Sequence, residues 1–343
     1  MKMITPRWWY VRRGGRGALT GLMLRPLSWL WTLAVARRLS RGGAIDPGAP
    51  VICVGNLTMG GSGKTPVARE ILARLSLKGV TAHALSRGHG GRLKGPVRVD
   101  PERHNALDVG DEPVMLATEA PVWIARDRAA GARAAVAAGA QAVVMDDGHQ
   151  NPSVRKALSL VVVDGETRDD EWPFGDGQVF PAGPLREPLK AGLGRADAVV
   201  VLLPTDLPRP DPELLAALGC RPVLIARLSA VGRPPAGPQV GFAGVAKPWK
   251  VERALKAAGC DLVDFVPLPD HATLTTELLV SLAARAVALG AGLVTTEKDW
   301  ARLPADWRPR VTAWTVHARF EDEAQLDALL MGALGGTPVE LGR

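Results

Sequence analysis

The stretch from Val51 to Pro66, VICVGNLTMGGSGKTP, limits what this chain can fold into more than any other part of it. An apolar run, residues 51–54, ends at Gly55. It passes through a loop carrying Thr58, Gly60, Gly61, Ser62 and Gly63, and then enters Lys64 and Thr65 at the head of a helical pattern. A strand, a glycine-rich loop and a helix in that order are the pattern of a phosphate-binding loop, with a plain Gly-rich turn as the alternative. Successive backbone N–H groups must converge on an anion there, and glycines permit the backbone angles and the close approach. Lys64 is then the residue that reaches the outer phosphates of a nucleotide, and the Thr65 hydroxyl is placed for Mg²⁺. The strict G-x-x-x-x-G-K-[ST] pattern is broken at its first position, where Thr58 stands in place of glycine.

After Pro47 and Gly48 the pattern alternates strands with helices, the mark of a mostly parallel α/β sheet. Val67, Ile71 and Leu75 fall four apart, which predicts a helix over 64–77 stopped by Gly79. A strand over 80–85 leads into SRGHG. Loops at strand C-termini are where such sheets hold ligands, so Arg87 is a candidate, with a sharp turn as the alternative. GDEP precedes a helical segment over 114–118, and Asp111 there reads by itself as a helix cap. The strand over 142–145 ends in Asp146 and Asp147. Two adjacent carboxylates opposite a phosphate loop suit a Mg²⁺ site, because they repel one another unless a cation is near. Arg186 and Glu187 lie in a Pro/Gly-stiffened loop, able to hold charges without regular structure. Residues 204–238 are proline-rich and read as a linker. A second α/β unit follows, containing PDH, with His271, and TTEKD.

The net charge of +7 is not spread evenly. Residues 1–48 hold nine Lys or Arg against the single acid Asp46, so the rest of the chain is almost neutral. That argues against a nucleic-acid groove. The same arm carries Trp8, Trp9, Trp29 and Trp31 and the only tyrosine, Tyr10. Residues 26–36, PLSWLWTLAVA, form an apolar run with Pro26 suited to a first helical turn and Arg37, Arg38 and Arg41 beyond its end. At 11 residues the run is too short to cross a bilayer. Tryptophans at a lipid boundary with arginines facing headgroups predict a helix lying in the interface with anionic lipid. A helix docked on the body by its tryptophans is the alternative. Three dispersed cysteines, Cys53, Cys220 and Cys260, suit a reducing compartment.

Taken in order, VGNLTMGGSGKTP, SRGHGG, GDEP, DDGHQN, PAGPLREP, the PDH segment and TTEKD resemble the tetraacyldisaccharide 4′-kinases of lipid A biosynthesis over nearly the whole chain. The resemblance implies a P-loop NTPase-like, mostly parallel sheet flanked by helices, a second smaller α/β domain, and an N-terminal membrane-associated helix. The expected division is an arm over 1–45, a kinase core over 46–225, and a second domain over 226–343 whose C-terminal segment is a candidate to return to the core. The implied activity is transfer of the ATP γ-phosphate, with Mg²⁺, to the 4′-hydroxyl of an acylated glucosamine disaccharide 1-phosphate on the cytoplasmic face of the bacterial inner membrane. Carried onto this chain, the resemblance makes Asp111 the base and His271 its partner, with Asp146 and Asp147 holding the metal's hydration shell. His89, His149, Asn151 and Ala272 depart from the family's commonest residues. Two other readings remain at this point: a kinase of a soluble metabolite, and a membrane-associated nucleotide switch or ATPase without a small-molecule acceptor. The first would have its N-terminal arm packed on the body, and the second needs no base for an acceptor hydroxyl.

Overall fold

The computed structural model describes residues 6–12, 18–270 and 272–335. In chain order the main elements are helix α1 (Ala18–Ser40), strand β1 (Val51–Gly55), α2 (Lys64–Leu77), β2 (Ala82–Ser86), β3 (Val97–Arg98), α3 (Ala106–Val109), α4 (Asp111–Leu116), β4 (Val122–Ile124), α5 (Arg128–Ala137), β5 (Ala142–Asp146) and β6 (Leu158–Asp164). Then come α6 (Leu189–Gly194), β7 (Ala198–Pro204), α7 (Pro212–Leu218), β8 (Val223–Ala230), β9 (Gln239–Ala243), α8 (Pro248–Ala257), β10 (Leu262–Pro267), α9 (Thr276–Ala288) and β11 (Gly292–Thr296). The chain closes with α10 (Glu297–Trp300), β12 (Val311–Trp314), β13 (Val316–Phe320) and α11 (Glu323–Ala333).

Nine strands form one sheet in the order β13-β8-β7-β6-β1-β5-β2-β4-β3, and four form another in the order β10-β9-β11-β12. The small sheet is parallel throughout. The large one is parallel except at its edges, where β13 and β3 run antiparallel to their neighbours. Central strands of a sheet covered on both faces have to be apolar along their length. Residues 51–55 and 142–146 are accordingly buried at every position. Helix α2 covers one face because Val67, Ala68, Ile71, Leu72 and Leu75 recur at helical spacing and all bury. β1 lies between β5 and β6, the point at which successive crossovers change direction, so a crevice opens at its C-terminal end.

Three expectations need correction. The proline-rich residues 204–238 are not a linker, since they contain α7 and β8. Asp211 caps α7 and the following proline occupies its first turn, so the prolines mark element ends. The boundary expected at 225/226 falls inside β8, which pairs with β7 from Val223 to Leu228. After β12 the chain leaves the small sheet, and β13 and α11 join the large one, where Leu326 and Leu330 bury in its core. Finally, Pro26 is not in a first turn, because α1 is continuous from Ala18 to Ser40 with Pro26 inside it. The apolar segment is thus longer than the 11-residue run, and residues 19–40 are long and apolar enough to cross a membrane by length and composition alone.

The way α1 sits is informative. Gly21, Ser28 and Val35, seven apart, face the body and are buried. The Ala182 amide donates to Ser28 Oγ at 2.9 Å, the Trp31 indole donates to the Arg186 carbonyl at 3.0 Å, and Trp31 meets Phe180 edge-on. On the opposite side Leu19, Leu22, Met23, Leu27, Leu30 and Leu33 are exposed.

Candidate active site

The loop between β1 and α2 approaches its neighbours too closely for side chains. A Cβ on Gly55 would lie 2.4 Å from that of His149, and one on Gly63 would lie 2.2 Å from a Leu202 methyl. Gly63 also has φ +79°, a left-handed angle that glycine adopts at no steric cost, and it immediately precedes α2. No side chain caps α2 there, at the end where a helix offers N–H groups to an anion. Ser62 Oγ is buried nearby with no partner among the described residues.

The irregularity at Thr58 has a structural reason. Thr58 forms an isolated β-bridge with Leu185, and it is not among the residues with positive φ. An extended backbone tolerates a branched side chain, so glycine is unnecessary at this end of the loop. The segment is held from outside. The Leu57 carbonyl accepts from the Arg186 amide at 2.8 Å, and the Thr58 carbonyl accepts from Asn56 Nδ2 and Arg186 Nε, both at 2.9 Å.

Asp146 and Asp147 sit at the end of β5, beside β1, with Asp146 in register with Val54. Their environments differ sharply. Asp147 has Arg186 Nη1 at 2.7 Å and Lys64 Nζ at 3.5 Å. Burial opposes its charge, but those two cations outweigh it and hold its carboxyl below the usual range. Asp146 is 1% exposed, and neither of its oxygens has a hydrogen-bond partner among the described residues. Burial, then the charge of Glu112, pushes Asp146 up to about 7, against the pull of Lys64 and Arg128. A buried carboxylate lacking donors has strong affinity for a cation. No cluster of three or more His, Cys, Asp or Glu suited to a metal occurs among the described residues. Mg²⁺ is commonly held by one or two protein oxygens, with phosphates and water completing its shell.

Arg128 is a residue that sequence reading passed over. It opens α5 at the end of β4, is buried, and donates to the Ala125 carbonyl at 2.6 Å. Burial lowers its pKa to about 10, with the charges of Asp147 and Asp146 acting in the opposite sense. Its only sequence signal was a charged residue just past a strand. Arg87 is exposed just past the end of β2.

Glu187 does not face this cleft as a free group. It is buried, with both oxygens 2.6 Å from Arg195 Nη2, and Gln150 donates to it at 2.9 Å and to the Asn56 carbonyl at 2.9 Å. Its part is to brace the loop. His149 is similarly structural, with ring nitrogens 3.0 Å from Ser159 Oγ and 2.9 Å from the Gly192 carbonyl.

The acidic residue of GDEP lies at the junction of the two sheets. Asp111 is the first residue of α4, capped by Gly110, so it is not itself the cap. It is 4% exposed, and two cations from the small sheet approach it: Lys298 Nζ and Arg302 Nε, both 3.9 Å from Oδ2. Lys298 also stands 3.6 Å from Glu112. Burial works against the Lys298 ammonium, yet Glu112, Asp111 and Asp270 outweigh it and raise its pKa. TTEKD was visible as a motif, but nothing in it announced that its lysine would reach GDEP. The orientation is fixed by Arg69 on α2, 3% exposed, which grips Glu297 with two bonds of 2.9 and 2.7 Å and Glu119 at 2.9 Å. His271 lies outside the described residues.

The family model for tetraacyldisaccharide-1-P 4′-kinase matches residues 20–335. The tetraacyldisaccharide 4′-kinase of Caulobacter vibrioides (strain NA1000 / CB15N) is 67% identical over 332 residues, 97% of this chain and 99% of that one. That of Phenylobacterium zucineum is 65% identical over 332 residues, covering 97% and 100%. Among solved structures, the "apo" form of LpxK from Aquifex aeolicus in complex with ATP superposes with a TM-score of 0.72 at 24% identity, covering 92% of this chain and 99% of that one.

Proposed function

Because the chain belongs to the tetraacyldisaccharide-1-P 4′-kinase family, we propose that the cleft between its two sheets carries out phosphoryl transfer from ATP to the 4′-hydroxyl of an acylated glucosamine disaccharide 1-phosphate. The chain is an ATP-dependent kinase of lipid A biosynthesis. The observation that carries the site assignment is the asymmetry of the acidic pair, one carboxylate saturated with cations and its neighbour without a partner.

The roles follow from charge. Phosphoryl transfer asks mainly for positioning and for neutralisation of the phosphate oxygens. Lys64, resting on Asp147, is close enough to the loop to exchange that carboxylate for the β- and γ-phosphates. Arg186 stays on Asp147 and prevents it from being stranded when Lys64 leaves. The Thr65 hydroxyl and Asp146 would hold Mg²⁺, which when bound would offset charge on the transferred group. Thr58, Gly60, Gly61, Ser62 and Gly63 form the cradle. Arg128 on α5 interacts with the charges of the acidic pair and is suited to the phosphate side. Asp111 would accept the proton of the sugar hydroxyl, with Lys298 and Arg302 both 3.9 Å from its Oδ2 and His271 as its partner.

The lipid side of the reading rests on α1. One side of this helix is committed to the body through Ser28 and Trp31. The other presents large apolar side chains to solvent, with Arg37 and Arg38 in its last turn. A monotopic helix at the cytoplasmic face of the inner membrane accounts for both. The test is to incubate purified protein with labelled ATP, Mg²⁺ and the disaccharide 1-phosphate and to locate the new phosphate. Label on the 4′-oxygen is expected. Hydrolysis indifferent to added lipid would overturn the reading.

A further inference from the structure

The arm before α1 reaches under the phosphate loop. Residues Arg7–Tyr10 form one 3-10 turn, and Tyr10, only 4% exposed, is its last residue. The Tyr10 hydroxyl donates to the Met59 carbonyl, within the loop that carries Gly60, Gly61 and Gly63. Its ring lies 4.2 Å from the ammonium of Lys247, and Lys247 is paired at 2.8 Å with Asp164 at the end of β6. The Tyr10 carbonyl accepts from the Trp172 amide at 2.6 Å, and Val11 bridges Glu171. Tyr10 therefore joins the phosphate loop and the residue that caps α8 through its side chain, and the loop after β6 through its carbonyl.

Consider what the bond to Met59 does. In a phosphate loop the amides must turn toward the anion and the carbonyls away from it. A trans peptide points its C=O and N–H in opposite directions, so a donor holding the Met59 carbonyl from outside turns the Gly60 N–H the other way. The carbonyls of Leu57 and Thr58 are already held by Arg186 and Asn56. Tyr10 supplies the next hold in the same series, nearest the glycines.

We propose that Tyr10 is a positioning residue for the phosphate loop, so that seating of the N-terminal arm sets the affinity for ATP. This rests on the reading of the loop as the ATP site. It makes the arm part of the nucleotide site as well as the neighbour of a lipid-facing helix. Trp9 and Trp31 both meet Phe180 edge-on, so the arm and α1 share one anchor.

The test is Tyr10→Phe in the full-length protein, which keeps the ring and its contact with Lys247 and removes only the O–H. The loss of one hydrogen bond predicts a Kd and a KM for ATP raised about threefold to tenfold. Turnover at saturating ATP and KM for the lipid acceptor stay within about twofold, and melting without nucleotide is unchanged. An ATP affinity within about twofold of wild type overturns the inference, as does an equal loss in every parameter accompanied by a lowered melting temperature. Titration of Kd does not depend on the fraction folded, so a poorly folding preparation still gives an answer. Absence of saturable ATP binding to the wild-type protein would instead defeat the reading of the loop itself.

Discussion

Lys64 Nζ stands 3.5 Å from Asp147 Oδ1, and the same oxygen is 2.7 Å from Arg186 Nη1. Lys64, proposed above to bind phosphate, is therefore shared with a carboxylate that has a second, closer cation of its own. This geometry lets Lys64 change partner without leaving the half-buried Asp147 carboxylate bare of a cation.

Replacing Lys64 with alanine should leave the protein folded, because Arg186 continues to satisfy Asp147. Transfer should fall about a hundredfold or more, the scale of one lost charge-stabilising donor. Steady-state transfer assays alongside thermal melts separate the two effects. Full activity would remove Lys64 from the site.

For Asp146 the folded-state pKa is raised from 3.8 to about 7. The native state then keeps a proton that the unfolded chain has given up, so stability declines as pH climbs from about 4 to about 7. Asp146→Asn should accordingly raise the melting temperature of metal-free protein at pH 8. It should also abolish stabilisation by Mg²⁺ with nucleotide. A lower melting temperature at pH 8 would show that the carboxylate is not uncompensated.

His149 acts in the opposite direction. Burial is the main cause of its pKa falling from 6.5 to about 4, so its neutral form is the native one. Its contribution to stability is present above about 6.5 and is lost as pH falls toward 4. His149→Gln should lose less stability than the wild type between pH 7 and pH 4.5 in urea titrations. Parallel curves would refute this.

Asp111→Asn is expected to lower turnover about a hundredfold or more while ATP binding is retained. The measurement pairs acceptor-dependent turnover with nucleotide titration. An unchanged rate excludes Asp111 as the base.

Changing Leu22, Met23 and Leu30 to serine strips apolar area from the exposed side of α1 and leaves Ser28 and Trp31 in place. Each buried apolar side chain is worth about 1.5–3 kcal/mol, so co-sedimentation with anionic vesicles should drop at least about a hundredfold in partition. Retained binding would move the membrane contact elsewhere.

Local chemistry made much of this molecule readable. The spacing of Val67, Ile71 and Leu75 gives a helix with one apolar face, and the glycine-rich turn between an apolar strand and that helix was legible as a strand-loop-helix unit. Adjacent aspartates at a strand end declared an electrostatic problem that needed a cation. The prolines of residues 204–238 misled because proline marks the ends of elements as readily as it marks linkers. Pro26 misled for a related reason, since a helix docked along its length accommodates one missing N–H.

Sequence alone therefore determined the strand-loop-helix core, the acidic pair and the basic, tryptophan-rich arm, because each is a pattern within a few neighbouring residues. Tertiary structure alone decided which aspartate is paired and which is not, that Glu187 is spent on Arg195, and that Tyr10 and Lys298 reach the site from opposite ends of the chain. Apart from the Glu187–Arg195 pair, eight residues apart, those outcomes depend on charges and donors at least 39 residues apart meeting in a low-dielectric interior. Which partner each finds there is set by the packing of two sheets, and no local pattern encodes it.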